Sequence, residues 1–241
     1  MLRDISLEIE EGTINVFLGL NGCGKTTLIK ILAGLQPPSS GSVRLDGRPI
    51  GGYDDASRSR YIAYVPQSAS GDISLTTEDF LLLSLSNRRG PFWVPSKGDR
   101  ERVRGFADRI RLPEALLGRK MSELSGGERQ FAMIAGALLQ DARIIILDEP
   151  TAALDMRNQY AVLRFLKICQ RESGKTILFS CHDPNHALRL GGDTVAIHEG
   201  RILFRGESRK TVRPENLKRI YGESVMNASD SEYEIITLGE F

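Results

Sequence analysis

The sequence predicts an α/β fold with a mixed sheet, and three observations carry this prediction. Two short runs, Thr13 to Leu18 and Ile144 to Leu147, are apolar enough to be strands that are covered on both faces. After the first run and a glycine-containing stretch at residues 19–26, apolar residues recur at helical spacing, at Leu28, Ile31, Leu32 and Leu35. From Arg143 onward, strand-like and helix-like stretches alternate along the chain, which is typical of an α/β core.

Two shorter signals lie in the first fifty residues. Residues 5–10 alternate apolar and polar side chains, which predicts a half-buried strand. Val43 and Leu45 alternate in the same way before Asp46-Gly47, a dipeptide that favours a hairpin turn. We therefore expect antiparallel β-structure near the start of the chain.

The middle of the chain differs from both ends. From residue 74 to about 140, the apolar residues follow helical spacing, and proline, glycine and charged residues interrupt them. Beyond this segment, residues 155–169 predict a helix with one apolar stripe, and residues 176–180 predict a strand. We therefore expect a single domain, with an α/β core from residues 1–73 and 141–241 and an inserted helical lobe from residues 74–140.

Composition disfavours several classes of function. The 241 residues carry a net charge of +1, which removes the usual electrostatic argument for a nucleic-acid partner. Cys23, Cys169 and Cys181 show neither metal-ligand spacing nor a pairing pattern, and no signal peptide is visible, so we expect a reducing cytosol. No apolar run approaches the length that spans a bilayer, so we expect a protein that is soluble by itself.

The most specific motif is a phosphate-binding loop. Residues 19–26 fit the spacing G-x-x-x-x-G-K-[ST] and lie between a predicted strand and a predicted helix, the context that this motif requires. Lys25 is expected to reach the β- and γ-phosphates of a nucleotide, and Thr26 or Thr27 to hold Mg²⁺. A glycine-rich turn with an unrelated lysine is the alternative. The predicted ATP contacts in this loop are Gly19, Asn21, Gly22, Cys23, Gly24, Lys25, Thr26 and Thr27.

Two carboxylates follow the second apolar strand. Ligands in open α/β sheets collect at the carboxyl ends of the strands, where Asp148 and Glu149 lie. We expect Asp148 to meet the Mg²⁺ held by Thr26, and Glu149 to take a proton from an attacking water. Such pairs often only cap a strand in solvent, but the phosphate loop in the same chain favours a catalytic role.

A second rare string is Leu124 to Gln130, LSGGERQ. Ser125 and Glu128 form a capping box before a helical apolar stripe. The two glycines at 126 and 127 would weaken the first turn unless the bare backbone is needed, which favours an anion-binding helix start over an ordinary capped helix.

With these motifs, the chain resembles the nucleotide-binding subunits of ATP-binding cassette (ABC) transporters. Leu124 to Gln130 is similar to the family's signature motif, and the resemblance covers nearly the whole chain in the right order. It implies a P-loop NTPase core, RecA-like, with a mixed sheet, an antiparallel β subdomain and an inserted helical lobe. It also implies an ATPase that works as a head-to-tail dimer, with each ATP between one phosphate loop and Ser125, Gly126 and Gly127 of the other protomer.

Three further site residues follow from the resemblance. Gln67 matches the glutamine that touches Mg²⁺ and the water, Asp155 matches the loop that crosses the dimer interface, and His182 matches the switch histidine at the γ-phosphate. Each has a structural alternative: a turn residue, a helix cap and a structural histidine respectively. The catalytic residues implied are Glu149, His182 and Gln67, and the metal ligands are Thr26, Gln67 and Asp148.

Several strings resemble the branch that imports iron–siderophores, haem, cobalamin or related metal chelates. These strings are Tyr64 to Gln67, Thr77 to Phe80, His182 to Ala187 and Glu215 to Gly222. The branch implies a transmembrane permease as partner, a binding protein as indirect partner, and a location at the cytoplasmic face of the plasma membrane. The side chains expected either to contact the permease or to pack the lobe are Phe80, Leu82, Leu83, Phe92 and Trp93.

Two alternatives and two departures from the family pattern remain at this point. The chain could be a soluble ABC ATPase, such as an iron–sulfur assembly component, or a regulatory module that closes on ATP without turnover. The aromatic residue that normally stacks on adenine has no match, because Met1 to Asp4 lie too close to the phosphate loop, so the start is truncated or adenine is held otherwise. Gly191-Gly192 replaces a small-plus-acidic pair common in the branch.

Overall fold

A six-stranded mixed sheet forms the centre of the molecule. The structure, a computed structural model, describes residues 2–67, 73–86, 93–223, 225–230 and 233–238. Its strands are β1 (Ile14–Leu18), β2 (Arg44–Leu45), β3 (Arg48–Pro49), β4 (Ile62–Val65), β5 (Ile144–Leu147), β6 (Thr176–Cys181), β7 (Asp193–His198), β8 (Arg201–Glu207), β9 (Val225–Asp230) and β10 (Tyr233–Leu238). The central sheet has the order β4–β5–β6–β1–β7–β8.

Burial on both faces explains why the central strands are mostly apolar. β1 lies between β6 and β7 and is parallel to both, and β4, β5 and β6 continue the parallel part. All five residues of β1 and all six of β6 are buried. β8 pairs antiparallel with β7 at the edge and is mostly half-buried or exposed. The sheet is therefore mixed, as predicted, and the carboxyl ends of β1, β4, β5 and β6 meet at one edge.

Helices cover both faces of this sheet. They are α1 (Lys25–Leu32), α2 (Asp55–Tyr61), α3 (Thr77–Ser84), α4 (Lys97–Ile110), α5 (Glu114–Leu117), α6 (Gly126–Leu139), α7 (Met156–Ser173), α8 (Pro184–Leu190), α9 (Ser208–Thr211) and α10 (Pro214–Tyr221), with 3₁₀ turns at Ile50–Gly52 and Met121–Glu123. One apolar cluster joins α1 to one face of the sheet, and a larger cluster joins α6, α7 and α8 to the other face. The two clusters together bury the sheet.

The segment between β4 and β5 is helical, as predicted. It contains α3 to α6, and buried side chains such as Leu81, Val103 and Met121 join these helices to the larger core cluster. Among the side chains proposed for a permease contact, Leu82 is buried, Phe80 and Trp93 pack partly against the core, and Leu83 is exposed. Phe92 lies outside the described residues.

Two expectations near the start of the chain are wrong. Residues 5–10 form no strand, although their apolar side chains are half-buried and the intervening ones are exposed. Alternation defines an inward face, whereas a strand also needs a partner backbone, and here the side chain of Arg205 donates to the Glu8 carbonyl. The second wrong expectation is that Leu35 continues the apolar stripe of α1. Leu35 lies beyond the end of this helix and is 51% exposed, and Gly34 just before it has a positive φ of 70°.

Two later elements differ from expectation in extent. The helix predicted over residues 155–169 begins at Met156 with Asp155 as its N-cap and continues to Ser173, where Gly174 ends it in a left-handed conformation. The antiparallel pairing of β9 with β10 was not predicted. The predicted hairpin at residues 43–47 is confirmed as the β2–β3 pair.

A close approach explains the glycine at 192, whereas the space around Gly191 is open. Both have positive φ angles, of 70° and 73°. A β-carbon at residue 192 would collide with the carbonyl oxygen of Ile14 in the central strand β1. Because an acidic side chain would meet the same obstacle, the departure from the branch pattern follows from backbone packing at this position.

Candidate active site

The phosphate loop joins the end of β1 to the start of α1. Gly24, the N-cap of α1, has φ 110° and provides no side-chain cap, so the first backbone N–H groups of the helix are not capped by a side chain. A β-carbon at Gly19 would collide with the carbonyl oxygen of Ile197 and would lie 2.7 Å from Cys23 Sγ. Asn21 and Gly22 are exposed at the tip, and Cys23 is buried beneath it. Packing within the fold therefore requires a glycine at 19, and the positive φ angles of 80° and 110° favour glycine at 22 and 24.

Lys25 is the buried cation of this loop. Its Nζ donates to the carbonyl oxygens of Gly19 at 2.8 Å and Leu20 at 3.0 Å. The same Nζ lies 3.0 Å from Glu149 Oε1, and both side chains are buried, at 3% and 7% exposure. Because an ammonium group has three donors, these three acceptors account for all of them.

Asp148 accepts two hydrogen bonds on one oxygen and none on the other. Its Oδ1 accepts from Ser180 Oγ at 2.8 Å and from Thr26 Oγ1 at 3.2 Å. Its Oδ2 is buried without a hydrogen-bond partner among the described residues. Thr27, the alternative to Thr26, lines a groove on the other side of α1. The geometry therefore places Thr26, and not Thr27, beside the carboxylate.

Glu149 adopts a strained backbone conformation that its surroundings maintain. Its φ is +43°, in the left-handed region that non-glycine residues rarely occupy. Its N–H donates to Ser180 Oγ at 2.8 Å. Its Oε2 accepts from Gln67 Nε2 at 3.0 Å and lies 3.8 Å from His182 Nδ1. The structure thus brings Lys25, Gln67 and His182, which follow three other strands, to the carboxylate of Glu149.

Ser125 and Asp155 lie in a second group, apart from the first. Ser125 N–H donates to Glu128 Oε2 at 2.8 Å. Hydrogen bonds from the backbone and the side chain of Ser125 lower the pKa of the Glu128 carboxyl. Asp155 accepts from the N–H of Asn158 at 2.8 Å as the cap of α7. A β-carbon at Gly127 would lie 2.8 Å from the Ala153 carbonyl oxygen, so the two helix starts adjoin. None of the hydrogen bonds described for Ser125 or Asp155 reaches the phosphate loop.

Several polar residues that organise these groups were not among the predicted site residues. Ser180 is fully buried between Asp148 and Glu149. His186, also buried, has Nδ1 3.3 Å from Thr151 Oγ1 and Nε2 3.3 Å from Gln159 Oε1. A serine inside an otherwise apolar strand was the available signal for Ser180, whereas nothing local marks the histidine network.

The fold and this site define a P-loop nucleotide-binding protein. A buried parallel strand, a glycine loop and an uncapped helix start surround one lysine, and an acidic strand end lies beside them. In the described residues, no cluster of three histidine, cysteine, aspartate or glutamate side chains is arranged to hold a metal by itself. No described helix has both the length and the apolar character needed to cross a membrane.

Comparison with known proteins identifies the family. Residues 2–152 match the family described as ABC transporter. The chain is 34% identical over 228 residues to the ferric enterobactin transport ATP-binding protein FepC of Escherichia coli K12, covering 95% of this chain and 84% of FepC. The chain therefore belongs to the ABC transporter family and is an ATPase of that family, which confirms the resemblance seen in the sequence.

Solved structures agree with this assignment. A metal-chelate type ABC transporter in an inward-facing conformation aligns with a TM-score of 0.79 and 28% identity, covering 98% of this chain and 90% of that one. A dimeric ATP-binding cassette in a post-hydrolysis state, bound to ADP and Pi, aligns with a TM-score of 0.78 and 29% identity, covering 86% and 90%. The predicted α/β fold with a mixed sheet and a helical lobe is thereby confirmed.

Proposed function

We propose that this chain is the ATP-hydrolysing subunit of an importer for a metal chelate, such as an iron–siderophore, haem or cobalamin complex. The similarity to FepC and to the metal-chelate type transporter supports this branch. The main support for ATP hydrolysis is the position of Glu149, whose buried carboxylate lies between Lys25 and Gln67. A carboxylate at this position can accept a proton from a water that attacks the γ-phosphate.

The role of Lys25 follows from its three acceptors. Phosphate oxygens can replace Glu149 as the third acceptor without disturbing the two loop carbonyls, because these belong to the loop itself. Glu149 would keep its contact with Gln67 through Oε2 while Oε1 becomes free to meet water. Nucleotide binding therefore releases the proposed base at the time it is needed. The proposed ATP contacts remain Gly19, Asn21, Gly22, Cys23, Gly24, Lys25, Thr26 and Thr27.

The residues beside the carboxylate suit Mg²⁺, which when bound supplies charge neutralisation at the β- and γ-phosphates. Asp148 Oδ2 is buried and lacks a protein partner, and the Thr26 hydroxyl is 3.2 Å from Asp148 Oδ1. Hydroxyl and carboxylate oxygens are ligands that Mg²⁺ prefers. We propose that Thr26 and Asp148 hold the ion, with Gln67 as the third ligand from this chain.

The separation of the two groups of site residues supports a dimer. We propose that Ser125, Gly126, Gly127 and Asp155 bind the ATP held by a second protomer's phosphate loop, and that His182 holds the γ-phosphate end. The start of α6 directs its first backbone N–H groups away from the helix, which favours an anion there. The related dimeric cassette supports this arrangement. The pair is a homodimer or two different cassettes.

We further propose that residues 74–140 act as a lobe that contacts a transmembrane permease. Leu83 and Val94 are exposed apolar side chains on this part of the chain, at 52% and 79% exposure. The permease would hold the protein at the cytoplasmic face of the plasma membrane, and a substrate-binding protein would act only through the permease. The near-neutral net charge gives no support for a nucleic-acid partner.

Glu149→Gln tests the hydrolytic mechanism. The amide keeps the shape of the side chain but cannot accept the proton, so we expect ATP binding to persist and turnover to fall by at least about 100-fold. The trapped state should be a dimer by size-exclusion chromatography with ATP. Glu101→Gln, an exposed glutamate near Lys97, is the matched control. Unchanged steady-state hydrolysis in Glu149→Gln would remove this residue from the mechanism.

Membrane pull-down tests the transport assignment. The tagged chain, purified from membranes of its own cells, should bring down a permease with many transmembrane spans. Recovery with soluble partners only, and none in the membrane fraction, would instead favour a soluble ABC ATPase. Uptake of labelled chelates by cells with and without the gene would then identify the substrate class.

A further inference from the structure

We propose that Tyr221 is a positioning residue for the switch histidine, a proposal that rests on the role assigned above to His182. Tyr221 Oη donates to the backbone carbonyl oxygen of His182 at 2.7 Å. The two residues are 39 positions apart, so this contact joins the last helix of the described core to the end of β6.

The imidazole of His182 has little contact that could orient it. Its side chain is 54% exposed, and Nδ1 lies 3.8 Å from Glu149 Oε2, which is too long for a hydrogen bond. A side chain that is more than half exposed and makes no close hydrogen bond to Glu149 takes much of its position from its backbone. The geometry of residue 182 in the main chain therefore decides how the ring meets the nucleotide.

The main chain around His182 is held at successive residues. The carbonyl oxygen of Cys181 accepts from the N–H of Gly19 in the phosphate loop at 3.3 Å. The side chain of Asp183 accepts from the N–H of Asn185 at 2.8 Å and caps α8. Between these two contacts, the carbonyl of His182 is held by the hydroxyl of Tyr221, which completes the series.

Tyr221 is itself firmly placed. It is the last residue of α10, whose side chains Leu217 and Ile220 are buried at 0% and 4% exposure, and its ring packs against the larger core cluster. Burial raises the pKa of the Tyr221 hydroxyl well above its usual range, and the neighbouring Cys181 and Asp183 add to this effect. The hydroxyl therefore stays protonated and remains a donor.

This contact assigns a role to the segment from Glu215 to Gly222, which the sequence marked but the mechanism has not used. The segment ends α10 and leads to the β9–β10 hairpin. Through Tyr221, the C-terminal part of the chain sets the geometry of the proposed γ-phosphate contact.

The test compares Tyr221→Phe with Tyr53→Phe. Tyr53 is also half-buried, and its Oη donates to the Leu45 carbonyl oxygen at 3.0 Å, so the control removes the same kind of hydrogen bond outside the proposed ATP contacts. We expect Tyr221→Phe to lower kcat about 3- to 10-fold, the equivalent of one hydrogen bond, with ATP affinity unchanged. Tyr53→Phe should leave kcat unchanged. Equal kcat values in the two variants would overturn the proposal.

A double-mutant cycle separates positioning from general stability. If Tyr221 acts through His182, then adding Tyr221→Phe to His182→Ala should cause no further loss of kcat. Independent, multiplying losses would show that Tyr221 acts elsewhere and would overturn the proposal.

Amide hydrogen exchange gives a readout that does not depend on turnover. Residues 182–186 should exchange faster in Tyr221→Phe than in the wild type, and the same residues should be unaffected by Tyr53→Phe. A wild type without ATPase activity would refute the proposed function, whereas unchanged exchange in Tyr221→Phe would refute the positioning role by itself.

Discussion

Ser180→Ala is the sharpest test of how the active site is held together. Ser180 Oγ donates to Asp148 Oδ1 and accepts from the N–H of Glu149, each at 2.8 Å. Alanine removes both contacts without adding volume. The buried N–H of Glu149 then has no partner, and Asp148 keeps only the longer contact with Thr26.

The magnitude can be worked from these contacts. A hydrogen bond to a charged carboxylate contributes about 1.5–3 kcal/mol, and a buried N–H left without a partner costs about 1–3 kcal/mol. Both contributions involve Ser180 Oγ, so they are not independent and cannot simply be added. We expect the free energy of unfolding to fall by roughly 2–4 kcal/mol. The left-handed conformation of Glu149 costs a further ~1–3 kcal/mol that its surroundings must offset.

Ser180→Ala should also lower ATPase activity, beyond its effect on the free energy of unfolding. Without Ser180, the Glu149 backbone can relax, and its carboxylate moves away from the attacking water. We expect kcat to fall about 10- to 100-fold, since small displacements of a catalytic group have effects of this size. The apparent affinity for Mg²⁺ should also fall, because Asp148 loses its main support.

Ser208→Ala is the matched control. Ser208 is also fully buried, and its Oγ lies 2.8 Å from Thr194 Oγ1 and 3.0 Å from the Gly192 carbonyl oxygen, outside the proposed site. Chemical denaturation of both variants, with steady-state ATPase assays and Mg²⁺ titrations, gives the comparison. Equal losses of stability with equal kcat values would refute the reasoning, because Ser180 would then be an ordinary buried serine.

Two further predictions concern packing and pH. Gly192→Ala should lower the free energy of unfolding by at least about 2 kcal/mol, because its β-carbon meets the Ile14 carbonyl at a positive φ. Gly174→Ala, which also has a positive φ but open space around it, should cost clearly less in the same denaturation experiment. Burial lowers the pKa of His186 below its ordinary value of 6.5, so the unfolded chain takes up this proton first as the pH falls. The free energy of unfolding should therefore decrease on acidification below about pH 6.5, and His186→Gln should make that decrease shallower. Identical pH profiles of unfolding free energy for the wild type and His186→Gln would contradict the lowered pKa of His186.

Local patterns predicted the elements whose burial is uniform or whose turn chemistry is strong. The apolar run at Ile144–Leu147 became β5 with the predicted bounds, because a strand covered on both faces leaves its mark on every residue. The Asp46-Gly47 turn likewise became a hairpin. Residues 5–10 show the limit, since alternation identifies an inward face and cannot identify a partner strand.

The residues of the candidate site also fall into two groups, those that the sequence predicts and those that it does not. Lys25, Asp148 and Glu149 could be found because motif and strand end coincide in the sequence. Ser180 and Tyr221 could not be assigned a role from the sequence, because each acts through hydrogen bonds to residues more than thirty positions away. Sequence spacing carries no information about such pairs.

By itself, the sequence determined that this protein has a phosphate loop, an acidic strand end and a capped glycine pair, and hence its family. These features are local, since each is recognised from the types and the spacing of residues that are close together in the sequence. Only the tertiary structure decided that Lys25 pairs with Glu149, that Ser180 joins the two carboxylates, and that α10 holds the main chain of His182. The physical reason is that these contacts arise where separate strand ends converge at one edge of the sheet, and the order of the strands in the sheet is a property of the whole fold.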